Sequence, residues 1–496
     1  MPQGVAQRGF FGHPHALSTL FFAELWERFS YYGMRALLVL FLVDATGRGG
    51  FGLDDATATA IYGLYAAGVY IASLPGGWIA DRLIGGQRAV LWGGVFITLG
   101  HLMLAIAGSL ATFCAGLVVI VLGTGLLKPN IASLVAALYP EGGARRDAGF
   151  TVFYMGINLG GLLGPFATAW LAQRYGWHIG FLAAALGMAI GLGWYAATRR
   201  RLGDAARLPA PHPRGDAGRT RDGRMLAGGA LVVLLACGLV GSGLTGLGAV
   251  ALRGYAIWVI LTLVFVWFVS LLGFSGLPAA ERRRVGTLGL LMLASTVFWS
   301  GFEQAGSSMT LFAERFTDRT LGGFEIPTGW YQMLNAGFII VFAPVFSALW
   351  TVLGRHGRDL STGAKFILGL LGMAAGFVLM AAGSRLVVAG ELAGPGWLVG
   401  AYLLHTWGEL ALSPVGMSAA TKLVPARFAG QSMGLWYASM SLGNLLASLV
   451  AGDFDASRVD AMPGQYLRIA LFGAVAALLL LAAVPWMRRA AAAAQD

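Results

Sequence analysis

The chain has 496 residues, of which 57% are hydrophobic and only 11% charged, and its mean hydropathy is +0.71. Soluble domains carry about 25% charged residues, so this composition excludes an ordinary soluble fold and predicts an all-α polytopic membrane protein. The formal net charge of +11 would suit a nucleic acid partner, but its distribution along the chain assigns it to membrane topology instead.

In chain order, the first fifteen residues are polar with one arginine, and the apolar run after them is rich in charge. This is not the pattern of a cleavable signal peptide. That run, LFFAELWERFSYYGMRALLVLFL at 20–42, contains Glu24, Glu27, Arg28 and Arg35. At 100° per residue these four and Tyr31 fall on one stripe about 100° wide, with Leu, Val and Phe covering the rest. A charge at the bilayer centre costs about 2.5–3.5 kcal/mol on insertion scales. Four of them on one helix require partners of opposite sign or a wet cavity. Salt bridges holding a bundle together are the bland reading. Such pairs are replaceable by apolar residues, so a polar site within the membrane is the better one.

Runs long enough for a hydrocarbon core of about 30 Å recur near 16–45, 56–81, 87–108, 110–138, 148–173, 177–199, 225–248, 254–277, 285–313, 329–354, 362–384, 396–422, 428–452 and 466–487, which makes fourteen spans. With the N-terminus placed in the cytoplasm, the inside segments collect most of the basic residues. These include Arg82 and Arg88, Arg145 and Arg146, eight arginines from Arg199 to Arg224, Arg282 to Arg284, and Lys422 with Arg427. The outside segments receive few, among them Arg253 and Arg385. This bias is the positive-inside pattern. It predicts a multi-pass protein of the plasma (inner) membrane with both termini cytoplasmic, and it leaves no surplus that calls for nucleic acid.

The subtraction leaves Arg28, Arg35 and Lys128 as cations within spans, and Glu24, Glu27, Glu303 and Glu409 as acids well inside them. The Pro-, Gly- and Arg-rich segment 199–224 divides the chain as a cytoplasmic linker. Six spans (1–198) precede it, two spans without intramembrane charge follow (225–284), and six more complete the chain (285–496). Two six-helix halves around a midplane site match the major facilitator architecture, with the middle pair as lipid-facing additions.

Several motifs sit on this frame. GGWIADRLIGGQRAV at 76–90 resembles the loop motif of the major facilitator superfamily, a latch in which Asp81, Arg82 and Arg88 tie neighbouring helix ends. GTGLLKPNIASL at 123–134 places Lys128 before Pro129, where a proline should bend the helix. The lysine is either an anion handle or a structural partner of Glu27. FYMGINLGGLLGP at 153–165 carries Asn158 among small residues. WSGFEQAGSSM at 299–309 carries Glu303 and Gln304, and WYQMLNAGFIIVFAP at 330–344 carries Asn335. HTWGELALSPVGMSAATKLVP at 405–425 carries Glu409 and Ser413, and LWYAS at 435–439 carries Trp436. By intramembrane charge the N-terminal half is net +1 and the C-terminal half net −2. A zwitterionic ligand complements both, and the remaining negative charge leaves room for one proton.

The run ELWER at 24–28 followed by SYYGMR, together with GGWIADRLIG, FYMGINLGG, FEQ and ELALSPVGMSAATKLVP, resembles the signatures of the proton-coupled oligopeptide transporter family, in matching order from residue 20 to about 445. The resemblance implies uptake of di- and tripeptides driven by a proton gradient, by alternating access through a central polar cavity. It implies proton coupling by Glu24, Glu27, Arg28 and Glu303, and carboxylate binding by Arg28, Lys128 and Arg35. Asn158, Asn335 and Glu409 would bind the amino terminus, and Tyr31, Tyr32, Tyr70, Ser413 and Trp436 would line the pocket. Gate ion pairs would join Arg35 to Glu303 and Lys128 to Glu409. Two features depart from the family pattern: Ala336, not proline, follows Asn335, and no histidine lies in the second span.

A proton-coupled carrier of nitrate or an organic anion is the alternative on the same scaffold, and a ligand sensor without transport is another. An enzyme is not expected, since the spans offer no paired histidines at haem spacing, no thiolate set and no nucleophile–base set. Cys114 and Cys237 lie apart in apolar runs, so neither a disulfide framework nor a thiolate metal site is expected. The expected partners are peptide, protons and lipid, with no cofactor or metal. A single chain supplying the whole cavity predicts a functional monomer.

Overall fold

The computed structural model describes residues 8–141, 143–207, 215–241, 245–425, 428–452, 454 and 458–492. Residues 208–214 of the predicted linker, Arg427 and the side chain of Cys237 lie outside the described residues. Among the described residues the architecture is almost wholly helical. The helices are α1 (Ala16–Val43), α2 (Asp55–Ile79), α3 (Gly86–Ala105), α4 (Leu110–Ala137), α5 (Gly143–Tyr175), α6 (Trp177–Thr198), α7 (Gly215–Gly241), α8 (Ala249–Phe274), α9 (Ala279–Phe302), the short α10 (Ser308–Phe316), α11 (Trp330–Arg355), α12 (Thr362–Val388), α13 (Gly396–Lys422), α14 (Ala429–Gly452) and α15 (Met462–Ala492). With α9 and α10 taken as one interrupted span, they account for the fourteen predicted spans. Among the described residues, eleven stretches are long and apolar enough to cross a membrane. The long helices outside that set are α1, α7 and α13. The first carries four charges, the second opens on GDAGRTRDGR, and the third holds His405, Thr406, Glu409 and Ser413.

Two short antiparallel hairpins complete the fold. The first (β1, Arg8–Phe10; β2, His13–Pro14) precedes α1. In the second (β3, Thr320–Leu321; β4, Phe324–Glu325), Thr320 pairs with Glu325 and Leu321 with Phe324. Gly322 and Gly323 turn that chain with positive φ at both positions, as a two-residue hairpin loop requires.

The helices form two compact units. The first comprises residues up to Phe41, Ala45–Phe51 and Gly68–Gly248, and the second Leu42–Asp44, Gly52–Ala67 and Ala249–Asp496. The opening turns of α2 thus belong to the second unit, and the two additional helices are divided, α7 with the first unit and α8 with the second. Lipid tails are as apolar as leucine, so helices associate here by close packing rather than by exclusion from water. In the first unit, Phe41 meets Phe51, Phe113 and Phe181 at centroid distances of 4.9, 5.0 and 5.1 Å, contacts each worth about 0.5–1.5 kcal/mol beyond area. In the second unit α8 turns Trp258, Phe265 and Phe274 outward, as a lipid-facing helix must.

Two sequence expectations are corrected. The linker predicted over 199–224 is already helical from Gly215: Pro213 is its last proline, and the glycines that follow cost a helix about 1 kcal/mol each without forbidding it. Arg253, predicted to lie in a loop, belongs to the first turns of α8, because the apolar residues Ala249–Leu252 extend that helix upstream. It is 5% exposed and donates from Nη1 to Ser448 O of α14 at 2.9 Å. The bend predicted at Pro129 falls within α4, which runs as one helix from Leu110 to Ala137. The carbonyl of Gly125, deprived of its helical donor by the proline, faces Gly76 of α2, where a Cβ would stand 1.9 Å away.

Candidate functional site

The first unit gathers its charges on α1. Glu24, Glu27, Arg28 and Arg35 are all buried, Glu27 completely. Arg28 Nε donates to Glu24 Oε1 at 2.8 Å, one helical turn away, and stands 2.7 Å from Glu27 Oε2. One guanidinium is therefore shared by two carboxylates. Among the described residues, Glu24 Oε2 and both Glu27 oxygens have no hydrogen-bond donor. The Arg28 guanidinium lies 5.6 Å from the Tyr31 ring centroid, and that of Arg35 lies 5.9 Å from Tyr32. Both are within cation–π range.

The glycine-rich face of α5 lets this stripe sit where it does. A Cβ at Gly160 would stand 2.2 Å from Leu25 O and 2.8 Å from Arg28 Cβ, and one at Gly164 would stand 2.3 Å from Phe29 O. Backbone therefore packs on backbone along α1, and only glycine permits it. Asn158, on the same helix, is buried and donates to Tyr154 O at 2.9 Å. Lys128 of α4 places its ammonium 4.0 Å from the centroid of Tyr70 and within electrostatic reach of Glu27.

The loop motif at 76–90 carries a latch of a different composition from the one predicted. Arg82 pairs with Asp222 of α7 at 3.6 Å, while Asp81 and Arg88 are exposed. The stronger tie is Gln87, which donates from Nε2 to Gly203 O and Ala205 O at 3.0 and 2.8 Å. Gly85, at φ 84°, turns the chain there, and a Cβ on it would meet Arg207 O at 2.5 Å.

The second unit holds two acidic centres. At the first, α9 ends at Phe302 and a 3₁₀ turn, Glu303–Gly306, interrupts the span before α10. Glu303 is buried and accepts a hydrogen bond from Tyr62 Oη of α2 at 3.1 Å. Gly306 admits that hydroxyl, since a Cβ there would be 2.1 Å from it. Gln304 is spent on structure: it donates to Ala447 O at 3.0 Å and accepts from Ser308 Oγ at 2.6 Å. At the second centre, Asn335 Nδ2 of α11 donates to Glu409 Oε2 at 2.8 Å and to Thr406 Oγ1 of α13 at 3.1 Å. Ser413 is half-buried one turn further along α13. Trp436 is 2% exposed, its ring against Gly416 and 6.3 Å from Phe366. It packs within the bundle of the second unit.

The structure thus brings Glu24, Glu27, Arg28 and Tyr31 together, Arg35 with Tyr32, Lys128 with Tyr70, and Asn335 with Glu409. Of the residues in the predicted gate pairs, Arg35 and Lys128 fall in the first unit and Glu303 and Glu409 in the second. Sequence reasoning missed Tyr62 and Thr406. Both were within reach of helical spacing: Tyr62 lies two turns before Tyr70 on α2, and Thr406 three residues before Glu409.

Fourteen long helices among the described residues, with charge buried on them, define an all-α polytopic membrane protein of the major facilitator fold, two six-helix bundles with two additional helices between them in sequence. The chain belongs to the POT family, whose pattern it matches over residues 87–206 and 269–469. It is 41% identical over 490 residues to the peptide transporter YePEPT of Yersinia enterocolitica, covering 97% of this chain and 96% of that one. To the di-/tripeptide transporter of Lactococcus lactis subsp. cremoris it is 36% identical over 464 residues, covering 91% and 92%. The crystal structure of the peptide transporter POT in complex with sulfate superposes with a TM-score of 0.92 at 39% identity, covering 98% and 97% of the two chains. That of a POT family transporter in complex with 5-aminolevulinic acid gives 0.87 at 33% identity, covering 97% and 99%.

Proposed function

We propose that this protein imports di- and tripeptides in symport with protons by alternating access. The observation that carries the reading is the buried Glu24–Arg28–Glu27 cluster on a membrane-spanning helix, in a chain 41% identical to a peptide transporter. Three cations against two acids leave the intramembrane charge of the first unit at net +1, the complement of a peptide carboxylate. Within the C-terminal six-helix bundle Glu303 and Glu409 contribute −2, the complement of one ammonium and one proton. In this reading Arg28, Arg35 and Lys128 receive the carboxylate, Arg28 as a planar fork, with Tyr31, Tyr32 and Tyr70 beside them. Asn335 and Glu409 receive the amino terminus, together with Asn158, while Ser413 and Trp436 shape the wall. Glu27 and Glu303 carry the coupling proton, with Glu24 and Arg28 setting the field at Glu27. The protein resides in the inner membrane with both termini cytoplasmic, acts as a monomer, and uses the proton as its coupling ion without metal or organic cofactor.

The test is uptake of a labelled dipeptide into proteoliposomes under an imposed inward proton gradient. Accumulation above equilibrium, abolished by excess Ala-Ala, is expected. Glu27→Gln should lose gradient-driven accumulation and keep dipeptide counterflow. Uptake indifferent to Ala-Ala, but competed by nitrate or an organic anion, would replace the peptide reading. Accumulation retained in Glu27→Gln would remove that residue from coupling.

A further inference from the structure

At one end of the second unit, α9, α12, α13 and α15 enclose a cavity of about 420 Å³ that the transport reading does not use. Arg284 of α9 and Lys422 of α13 contribute two positive charges to its wall, Ser361 stands at the start of α12, and Leu291, Val484 and Met487 make an apolar side. Among the described residues neither cation has a carboxylate partner. Asp359, close in sequence to the start of α12, is held by Lys365 at 2.9 Å, and Glu281, one turn before Arg284, forms no ion pair with it. Arg284 Nε is buried with no hydrogen-bond acceptor. A guanidinium nitrogen withdrawn from water without an acceptor is a costly arrangement, and an anion in the cavity offsets that cost through the charge of the guanidinium that lines it.

The start of α12 adds to the same demand. The Ser361 side chain accepts from Ala364 N–H at 3.3 Å. The amides of Thr362 and Gly363 are left without intrahelical acceptors, as in any first turn, at the positive end of a 27-residue helix. Beside them a Cβ on Gly363 would lie 3.2 Å from Val484 Cγ2 and 3.4 Å from Met487 Cε. The apolar wall of α15 therefore abuts the positive helix end. A small inorganic anion would leave that wall unused, whereas an apolar ligand would leave two cations unanswered. The lining fits a molecule that is anionic at one end and hydrocarbon at the other. It sits where bases cluster at the ends of membrane helices, the place anionic lipid headgroups occupy.

We infer that this cavity binds an anionic phospholipid, its phosphate between Arg284, Lys422 and the first turn of α12, and its first acyl carbons against Leu291, Val484 and Met487. Such a lipid would pin four helices of one bundle together at that end. The inference stands apart from the transport reading, because its test reads lipid rather than peptide.

Native mass spectrometry of the full chain in detergent, titrated with phosphatidylglycerol, phosphatidylcholine of the same acyl chains and sn-glycerol 3-phosphate, decides it. Phosphatidylglycerol should saturate the protein at about tenfold lower concentration than phosphatidylcholine, and glycerol phosphate should bind at least about tenfold more weakly than the lipid. R284Q/K422Q should erase the preference, while R282Q/R283Q, at the exposed neighbouring arginines, should retain it. K422Q alone changes an exposed helix-end residue and spares the fold; it should lower the preference about fivefold. Equal binding of the two lipids, a preference that survives R284Q/K422Q, an equal loss in R282Q/R283Q, or glycerol phosphate binding as tightly as the lipid would each overturn the inference.

Discussion

On the proposed function, two arginines separate recognition from architecture. Arg28 faces two carboxylates with one guanidinium, so a ligand carboxylate arriving there competes for a group already under demand. Arg253 spends its Nη1 on a main-chain oxygen of α14 and joins α8 to its neighbour. Arg28→Ala should weaken dipeptide binding about ten- to a hundredfold, the loss expected for a charged hydrogen-bonding partner. Arg253→Ala should leave the affinity within about twofold and lower the melting temperature instead. Calorimetric titration and thermal unfolding of the two purified variants distinguish the roles, and comparable affinity losses would misplace the site. At the start of α2, Thr57 holds the Asp54 carboxyl below its ordinary value of 3.8 through two hydrogen bonds, hydroxyl first at 2.7 Å and amide at 2.9 Å. A carboxyl whose value is lowered by folding stabilises fully above its unfolded value and loses that contribution as pH falls through the folded one. Asp54→Ala should therefore cost about 1 kcal/mol at neutral pH, as loss of a helix cap does. The difference from the parent should shrink as melting curves are taken below pH 3.8.

At the scale of helices, the charged stripe on α1 depends on the small face of α5. The motif FYMGINLGGLLGP draws attention to Asn158, yet the glycines around it set the geometry, since Gly160 and Gly164 bring α5 onto the carbonyls of Leu25 and Phe29. Gly160→Val would force those backbones apart by more than a rotamer change can absorb. It should cost at least about 1–3 kcal/mol and displace Arg28 with it, seen as a lower melting temperature and lost dipeptide binding. Gly193→Ala on α6, where a Cβ meets nothing within 4 Å, should be neutral or stabilising by about 0.5–1 kcal/mol, and serves as the matched control. The break between α9 and α10 follows the same logic. Glu303 lies at a helix end rather than within a regular helix, and Gly306 makes room for Tyr62. Tyr62→Phe removes the hydroxyl donated to Glu303 and nothing else of its bulk. It should shift the pH dependence of dipeptide uptake while leaving expression unchanged.

For the whole molecule, much was legible in one dimension because it is set by composition against the thickness of a bilayer. The number of long helices, their approximate limits, the charge bias of the loops and the seven charges within the spans all follow from local sequence, since a charge that cannot be left in lipid stands out wherever it occurs. The family followed from ELWER, FYMGINLGG and ELALSPVGM, whose order no composition would produce by chance. What tertiary structure alone decided was pairing. Tyr62 reaches Glu303 across 241 positions and Arg253 reaches Ser448 across 195; Gln87, which no motif logic marked, holds the 203–205 strap. Trp436 turned inward against Gly416, and α8 took Arg253 into its first turns. Helical periodicity states which face a residue occupies but not which helix that face meets. In lipid the meeting is settled by the fit of small residues against backbone rather than by hydrophobicity, which every face of these helices already has.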